Sequence, residues 1–332
     1  MAALPAYRFS VAPMMDWTDR HCRAFHRQLT RRALLYTEMV TAAALVRGNA
    51  WHLLDHDPVE HPLALQLGGS DPGELAAAVA GAAGKGFGEI NLNVGCPSDR
   101  VQSGCFGAVL MERPERVADC VAAMARAAPG LEITVKCRIG VDDQDPASAL
   151  PRFLETVAAA GVRRFAIHAR KAWLQGLSPK ENREIPPLDP GLVLAMKARF
   201  PTLAIVLNGG IATLAEAQAW LGRGVDGVML GRAAYHDPGA VLGGVDTALF
   251  GGPPGPGRAE AARAMQPHIA AHVAAGGRAQ DVTRHMLGLF AGRPGARAWR
   301  RLLSDEARRP GAGPEIIDHG LAAIAAAAAR AA

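Results

Sequence analysis

The chain has 332 residues, enough for one large domain and a smaller one. Apolar residues make up 49% and charged residues 20%, which excludes a disordered chain, a collagen-like repeat and a disulfide-stapled miniprotein. The net charge of +5 sits at one end: residues 256–332 hold 11 Arg, no Lys and 6 acids, whereas 1–255 balance 25 bases against 25 acids. A neutral body with an arginine-only tail points either to a polyanion partner gripped by the tail or to the Ala, Gly and Arg habit of a GC-rich genome.

The apolar stretch 321–329 is far shorter than the ~20 residues a membrane-spanning helix needs. MAALPAYRFSVAPMMDW lacks the basic start, apolar core and cleavage site of a signal peptide, so a cytoplasmic protein is expected. Five cysteines, Cys22, Cys96, Cys105, Cys120 and Cys137, are odd in number and form no CxxC pair. Neither a disulfide framework nor a structural metal site is expected, which leaves room for one working thiol.

Eight short β-like runs follow in order: 9–15, 34–40, 62–68, 89–95, 132–139, 164–170, 204–210 and 226–233. Between them lie Ala-rich helical stretches at 72–84, 114–128, 147–160, 190–199 and 214–223, most opened by Pro, Ser, Thr or Asp. Strand alternating with helix means parallel strands with crossovers, and eight units in this length fit a (β/α)₈ barrel. A doubly wound sheet is the competitor, but no GxGxxG follows the first run. Long segments after strands 4 and 6 read as binding loops. GGPPGPGR at 251–258 reads as a linker. Helical spacing at 259–275, 279–291, 295–304 and 314–331 then predicts a small all-helical domain over 259–332, behind a catalytic barrel over 1–250.

In such a barrel the site lies at the C-terminal strand ends. Those positions hold Pro13, Met14 and Met15, then Glu38, Gln66, Asn91, Asn93, Lys136, Arg138, His168, Asn208 to Gly210, Gly231 and Arg232. The glycines of NGGI and LGRA end strands 7 and 8, where backbone N–H groups can meet a phosphate. Lys136 interrupts the apolar run ITVKCRI, so it must snorkel out or face the site. Facing in, it would supply the cation that a reduced flavin ring needs, and Gln66 would suit the ring's amide-like edge. His168 is either a satisfied core histidine or a cofactor contact. Cys96 heads the long loop, fixed by Pro97, and a thiol mostly protonated at neutral pH can act as a general acid. Cys105 shares that loop as a second candidate, and the other three cysteines read as inert packing.

Taken in order, APMMDWTDR, TEMV, QLGG, NLNVGCPS, VKCRIG, HARKAWLQGLSPKENREIPPL, NGGI and LGRAAY resemble the tRNA-dihydrouridine synthases, specifically the A-type enzymes. The resemblance covers the whole barrel and, through GARAWRR, the tail. It implies FMN-dependent reduction of the C5=C6 bond of uridine in the tRNA D-loop, at positions 20 and 20a, with NADPH re-reducing the flavin. It implies FMN contacts from Pro13, Met14, Met15, Gln66, Lys136, His168, Asn208, Gly209, Gly210, Gly231 and Arg232. Cys96 would protonate C5. Asn93, Lys180, Arg183, Arg297 and Arg300 would touch tRNA, and a monomer is expected. The rival readings are an FMN barrel acting on a free pyrimidine, of the dihydroorotate type, and an RNA-binding protein with an inactive barrel.

Overall fold

The computed structural model describes residues 4–98 and 104–331, so part of the long loop after the fourth strand, 99–103, lies outside the described residues. Eight strands form: β1 Phe9–Val11, β2 Leu35–Thr41, β3 Leu63–Gly68, β4 Glu89–Val94, β5 Glu132–Arg138, β6 Arg164–His168, β7 Ala204–Asn208 and β8 Gly227–Leu230. Every pairing is parallel, in the order β1-β8-β7-β6-β5-β4-β3-β2. The remaining seam is bridged by Ser10 and Leu34, with Val11 N–H donating to Leu34 O and Leu34 N–H to Phe9 O, each at 3.0 Å. The expected (β/α)₈ barrel is present.

The helices of the barrel are α1 Arg20–Arg27, α2 Ala42–Val46, α3 Pro72–Ala82, α4 Pro114–Ala127, α5 Pro146–Ala159, α6 Pro190–Arg199, α7 Leu214–Gly222, α8 Arg232–His236, α9 Pro238–Val241 and α10 Val245–Phe250. Four of them, α3, α5, α6 and α9, start on an Asp-Pro step. The carboxylates of Asp71, Asp145, Asp189 and Asp237 accept a first-turn N–H, and the proline fills a position whose own N–H would lack a partner. Each cap is worth about 1 kcal/mol, and the dipeptide fixes where each crossover turns back.

Period-two alternation sorts the strand residues. On β4, Ile90, Leu92 and Val94 pack into the layer between sheet and helices, while Glu89, Asn91 and Asn93 belong to a polar chain shared with β3 and β5. On β5, Val135 and Cys137 pack outward, leaving Thr134, Lys136 and Arg138 on the inner face. The inside is lined with Ala12, Leu34, Tyr36, Ala64, Ala166, Val206 and Met229. Its floor is closed by Arg164, which meets Glu89 at 2.6 Å and Glu132 at 2.9 Å and lies over the Tyr7 ring.

Residues 251–257 form neither helix nor strand, as the Gly/Pro composition predicts. Beyond them come α11 Arg258–Ala264, α12 Gln266–Ala274, α13 Ala279–Thr283, α14 Ala296–Asp305 and α15 Glu315–Ala331. The helix expected over 259–275 is split at Met265, because Pro267 in the next first turn cannot donate back into a continuous helix. The helix expected over 279–291 stops at Thr283. Gly288 sits so close to the His236 carbonyl that any side chain would collide, so the chain turns there instead.

The tail is bound to the barrel rather than tethered to it. Ala261, Met265, Ile269, Val282, Met286, Leu289 and Trp299 belong to the same buried apolar cluster as the barrel's outer layer. Trp299 is fully buried and its indole N–H donates to Met286 O at 2.9 Å. Asp19, which caps α1, accepts from Arg284 at 2.5 Å and contacts His285 at 3.0 Å. Trp17 stacks on Tyr235 at 4.5 Å, and Tyr235 reaches His285. These contacts place the tail beside the loops after β1 and β8, on the face where the strands end. Among the described residues, no helix is long and apolar enough to cross a membrane.

Candidate active site

At the mouth of β4 the chain folds around Asn93. Its Oδ1 accepts from Gly95 N–H at 3.1 Å and Cys96 N–H at 3.0 Å, a side-chain turn that pins the start of the loop. The Cys96 carbonyl accepts from Ala108 N–H at 2.9 Å, which brings the far arm of the loop back. Cys96 is half-buried with its Sγ 3.5 Å from Ser98 Oγ. Cys105 is exposed, in left-handed backbone at φ 54°. Burial pushes the Cys120 thiol up to about 11, Cys137 to about 12 and Cys22 well above its usual range, so these three are inert packing thiols.

Lys136 pairs in register with Asn93, so its side chain rises on the inner face beside the Cys96 loop. Burial pulls its ammonium down to about 8, and the neighbouring Arg138 and Arg183 charges pull the same way. Among the described residues no carboxylate forms an ion pair with Lys136, so this strand end favours an anionic or electron-rich ligand. Cys96 is within electrostatic reach of Lys136, Arg138 and Arg183. Gln66 is buried on β3, with Nε2 donating to Asn91 and Oε1 accepting from Asn93, both at 2.9 Å. One N–H and one lone pair of its carboxamide remain for a ligand.

His168 ends β6. Burial, then Arg138 and Lys136, hold its imidazole well below the usual range, so it is neutral. It lies against the strand-7 glycines: a Cβ on Gly209 would stand 2.5 Å from the His168 ring, and one on Gly210 would stand 2.5 Å from Leu188. Both glycines have positive φ, 104° and 76°. Asn208 is buried and donates to Met229 O at 2.7 Å, tying β7 to β8. Gly231 begins α8 and faces the Met14 sulfur. Met14 N–H donates to Thr18 Oγ1, Pro13 is half-buried, and Met15 is exposed at the rim.

Not every expected residue is equally free to bind. The Arg232 guanidinium forms a surface ion pair with Glu184 at 2.6 Å, which commits part of its fork of N–H donors. Asn93 has most of its carboxamide committed to Gln66 and the Cys96 turn, with one Nδ2–H to spare. Lys180 and Arg183 are exposed on the loop after β6. Arg297 and Arg300 are exposed on α14, outside the pocket, on either side of buried Trp299.

Two residues that sequence reasoning left without a role hold the mouth together. Arg138 is buried and donates to Gly95 O at 3.1 Å, Lys171 O at 3.2 Å and Asn182 O at 2.9 Å, joining the loops after β4 and β6. Alternation carries the signal: if Lys136 faces inward, so does Arg138. Asn182 is fully buried, accepts from Trp173 N–H, and donates to the Trp173 and Leu177 carbonyls. Among the described residues, no group of three or more His, Cys, Asp or Glu is placed to hold a metal ion.

The fold and the polar strand ends define a (β/α)₈ barrel with cationic side chains gathered at its mouth. Solved structures similar to it include morphinone reductase, at a TM-score of 0.51 and 13% identity over 75% of this chain and 87% of that one. An old yellow enzyme homologue from Zymomonas mobilis matches at a TM-score of 0.50 and 12% identity over 70% and 86%. At these identities the likeness is one of fold. The family model described as dihydrouridine synthase (Dus) matches residues 10–325. A tRNA-dihydrouridine(20/20a) synthase of Xanthomonas axonopodis pv. citri is 57% identical over 95% of this chain and 93% of its own. One from Escherichia coli O6:H1 is 54% identical over 97% and 96%. The chain belongs to the dihydrouridine synthase family.

Proposed function

We propose that the protein reduces the C5=C6 bond of uridines 20 and 20a in the tRNA D-loop, with FMN as its flavin and NADPH as the electron donor. The observation that carries this reading is the Cys96 thiol, held by the Asn93 turn beside Lys136, which has no carboxylate partner among the described residues, in a member of this family. The residues fit a flavin. A cation without a carboxylate partner among the described residues suits the electron-rich end of the ring, and the two strand-7 glycines let the backbone pack directly against the His168 ring and Leu188, where any Cβ would collide. Pro13, Met14, Met15, Gln66, Lys136, His168 and Asn208 would surround the ring and ribityl chain. Gly209, Gly210, Gly231 and the Arg232 N–H would hold the phosphate.

A bound flavin would supply the hydride for C6 of the uridine, with NADPH as the source of its electrons. Cys96 donates the proton to C5, with Lys136, Arg138 and Arg183 within electrostatic reach of its sulfur. A uridine in folded RNA must be unstacked to enter, so the protein needs a gripping surface as well as a pocket. Lys180 and Arg183 at the rim, Asn93 within, and Arg297 and Arg300 on the helical region 259–331 would provide it. A cytoplasmic monomer accords with this reading.

The test is a tRNA transcript carrying uridine at 20 and 20a, incubated with the yellow protein and NADPH, with dihydrouridine mapped by mass spectrometry. Dihydrouridine at those positions is expected. Turnover of free uracil or dihydroorotate with tRNA left untouched would instead place the enzyme among the free-pyrimidine barrels.

A further inference from the structure

Inside the barrel a single file of side chains runs from the floor to the Cys96 loop. At the floor, the Glu89 carboxylate accepts from Arg164 at 2.6 Å, Tyr36 OH at 2.7 Å and Thr134 Oγ1 at 2.5 Å. Thr134 Oγ1 accepts from Asn91 Nδ2 at 2.8 Å, and Asn91 Oδ1 from Gln66 Nε2 at 2.9 Å. Gln66 Oε1 accepts from Asn93 Nδ2 at 2.9 Å, and Asn93 Oδ1 from the Gly95 and Cys96 N–H groups. Glu89, Thr134, Asn91, Gln66 and Asn93 are all buried, so each link is costly to leave without a partner.

The direction of this file is not free. A carboxylate held by an arginine only accepts, so Thr134 must spend its one hydroxyl hydrogen on Glu89. Its lone pair then faces Asn91, which must turn its NH₂ to Thr134 and its oxygen to Gln66. The same logic turns Gln66 and then Asn93. At the far end two backbone N–H groups require an oxygen, and Asn93 presents one. Both ends therefore demand the same orientation of all three carboxamides.

We infer that Thr134 and Glu89 are positioning residues for the reduction of uridine: the hydroxyl that donates to the floor carboxylate sets the orientation of Asn91, Gln66 and Asn93, and so holds the Cys96 turn in its reactive place. This inference rests on the function proposed above. With the hydroxyl gone, the Asn91 NH₂ loses its acceptor, and the orientation of the three carboxamides rests on the Gly95 and Cys96 N–H groups alone, so the Cys96 turn is held from one end instead of two.

The experiment compares flavin-loaded wild type, Thr134→Val and Thr134→Ser, Val having the shape of Thr without its hydroxyl. Three quantities are measured: single-turnover reduction of tRNA by pre-reduced enzyme, flavin reduction by NADPH, and amide hydrogen exchange in the peptide spanning 93–98. For Thr134→Val the tRNA step slows tenfold or more and exchange at 93–98 speeds up. Reduction by NADPH slows by far less than the tRNA step. Thr134→Ser restores both the rate and the slow exchange. A Val variant as fast and as protected as wild type overturns the inference, as does a Ser variant as slow as Val. Loss of both half-reactions together also overturns it, because the hydroxyl would then merely hold the barrel. If Thr134→Val does not fold, Thr134→Ala is read by the same three measurements, and an unchanged tRNA step and exchange rate refutes the relay. Failure of the wild type to reduce tRNA refutes the proposed function instead.

Discussion

Two side chains at the mouth have burdens that separate cleanly in experiment. Lys136 is asked to be a cation where burial favours its neutral form, and its ammonium falls to about 8. Its folded value lies below its unfolded one, so the protein without ligand gains stability as pH rises from about 8 towards the free-lysine range. Binding of an electron-rich ring has the opposite dependence, because it needs the proton. FMN affinity, followed by fluorescence quenching, is therefore expected to weaken as pH rises past about 8. Lys136→Met is expected to bind less tightly at pH 7 and to lack that break; a variant with the wild-type profile would place the titrating group elsewhere. In the proposed reaction Cys96 takes no part in the transfer of electrons from NADPH to the flavin. Cys96→Ala should reduce its flavin normally yet lose ~10²–10⁴ in the tRNA step, the usual worth of a placed general acid. Cys105→Ala should keep most activity, since that exposed residue in left-handed backbone has nothing to hold it over a substrate. The reverse outcome in single turnover would exchange the two assignments.

The loops at the mouth act as elements, and the loop after β6 is the one most dependent on a single side chain. Asn182 satisfies Trp173 N–H and two carbonyls, while Arg138 clamps the same loop to Gly95. Asn182→Ala leaves those backbone groups without their partner, at a cost of roughly 1–3 kcal/mol confined to the loop. Such a variant should show a higher KM for tRNA and faster proteolysis within 171–188, with flavin binding little changed. Equal proteolysis of the two proteins would show that the loop is held by other means. All eight strands and most helix starts are legible in the sequence, because each carries a local signal: alternation inside a strand, or Asp-Pro ahead of a helix. Asn182 is not legible. In a polar, Pro-rich stretch it reads as one more solvated loop residue, and its partners are backbone groups that approach only once the loop has closed. Nor is the Thr134–Asn91–Gln66 file, since a rung across three strands depends on register, which no single strand encodes. Lys136 is legible through its cost: a charge amid ITVKCRI has no reason to be there unless something binds it.

For the molecule as a whole, the arginine-rich tail shares its apolar packing with the barrel. Deleting residues 251–332 would strip Met265, Ile269, Met286 and Trp299 from the shared cluster and leave Asp19 without Arg284 and His285. A truncated barrel would therefore lose stability along with RNA binding, and the two effects could not be told apart. Charge reversal on the tail's outer face separates them. Arg297 and Arg300 are exposed on α14, whereas Trp299 and Leu303 of the same helix face inward, so the paired change to Glu touches no packing. If both arginines lie on tRNA phosphates, each contact displaces a counterion, and affinity falls with salt in proportion to the number of contacts. Losing two contacts should flatten the slope of log affinity against log salt by about 1.4 to 1.8. Affinity at low salt should also drop, by more than a neutral Arg297→Ala/Arg300→Ala pair would cause, because the acids repel the backbone. Flavin content, melting temperature and reduction by NADPH should match wild type. A wild-type salt slope in the Glu pair, measured by filter binding between 50 and 200 mM salt, would move the grip to Lys180, Arg183 and the barrel rim.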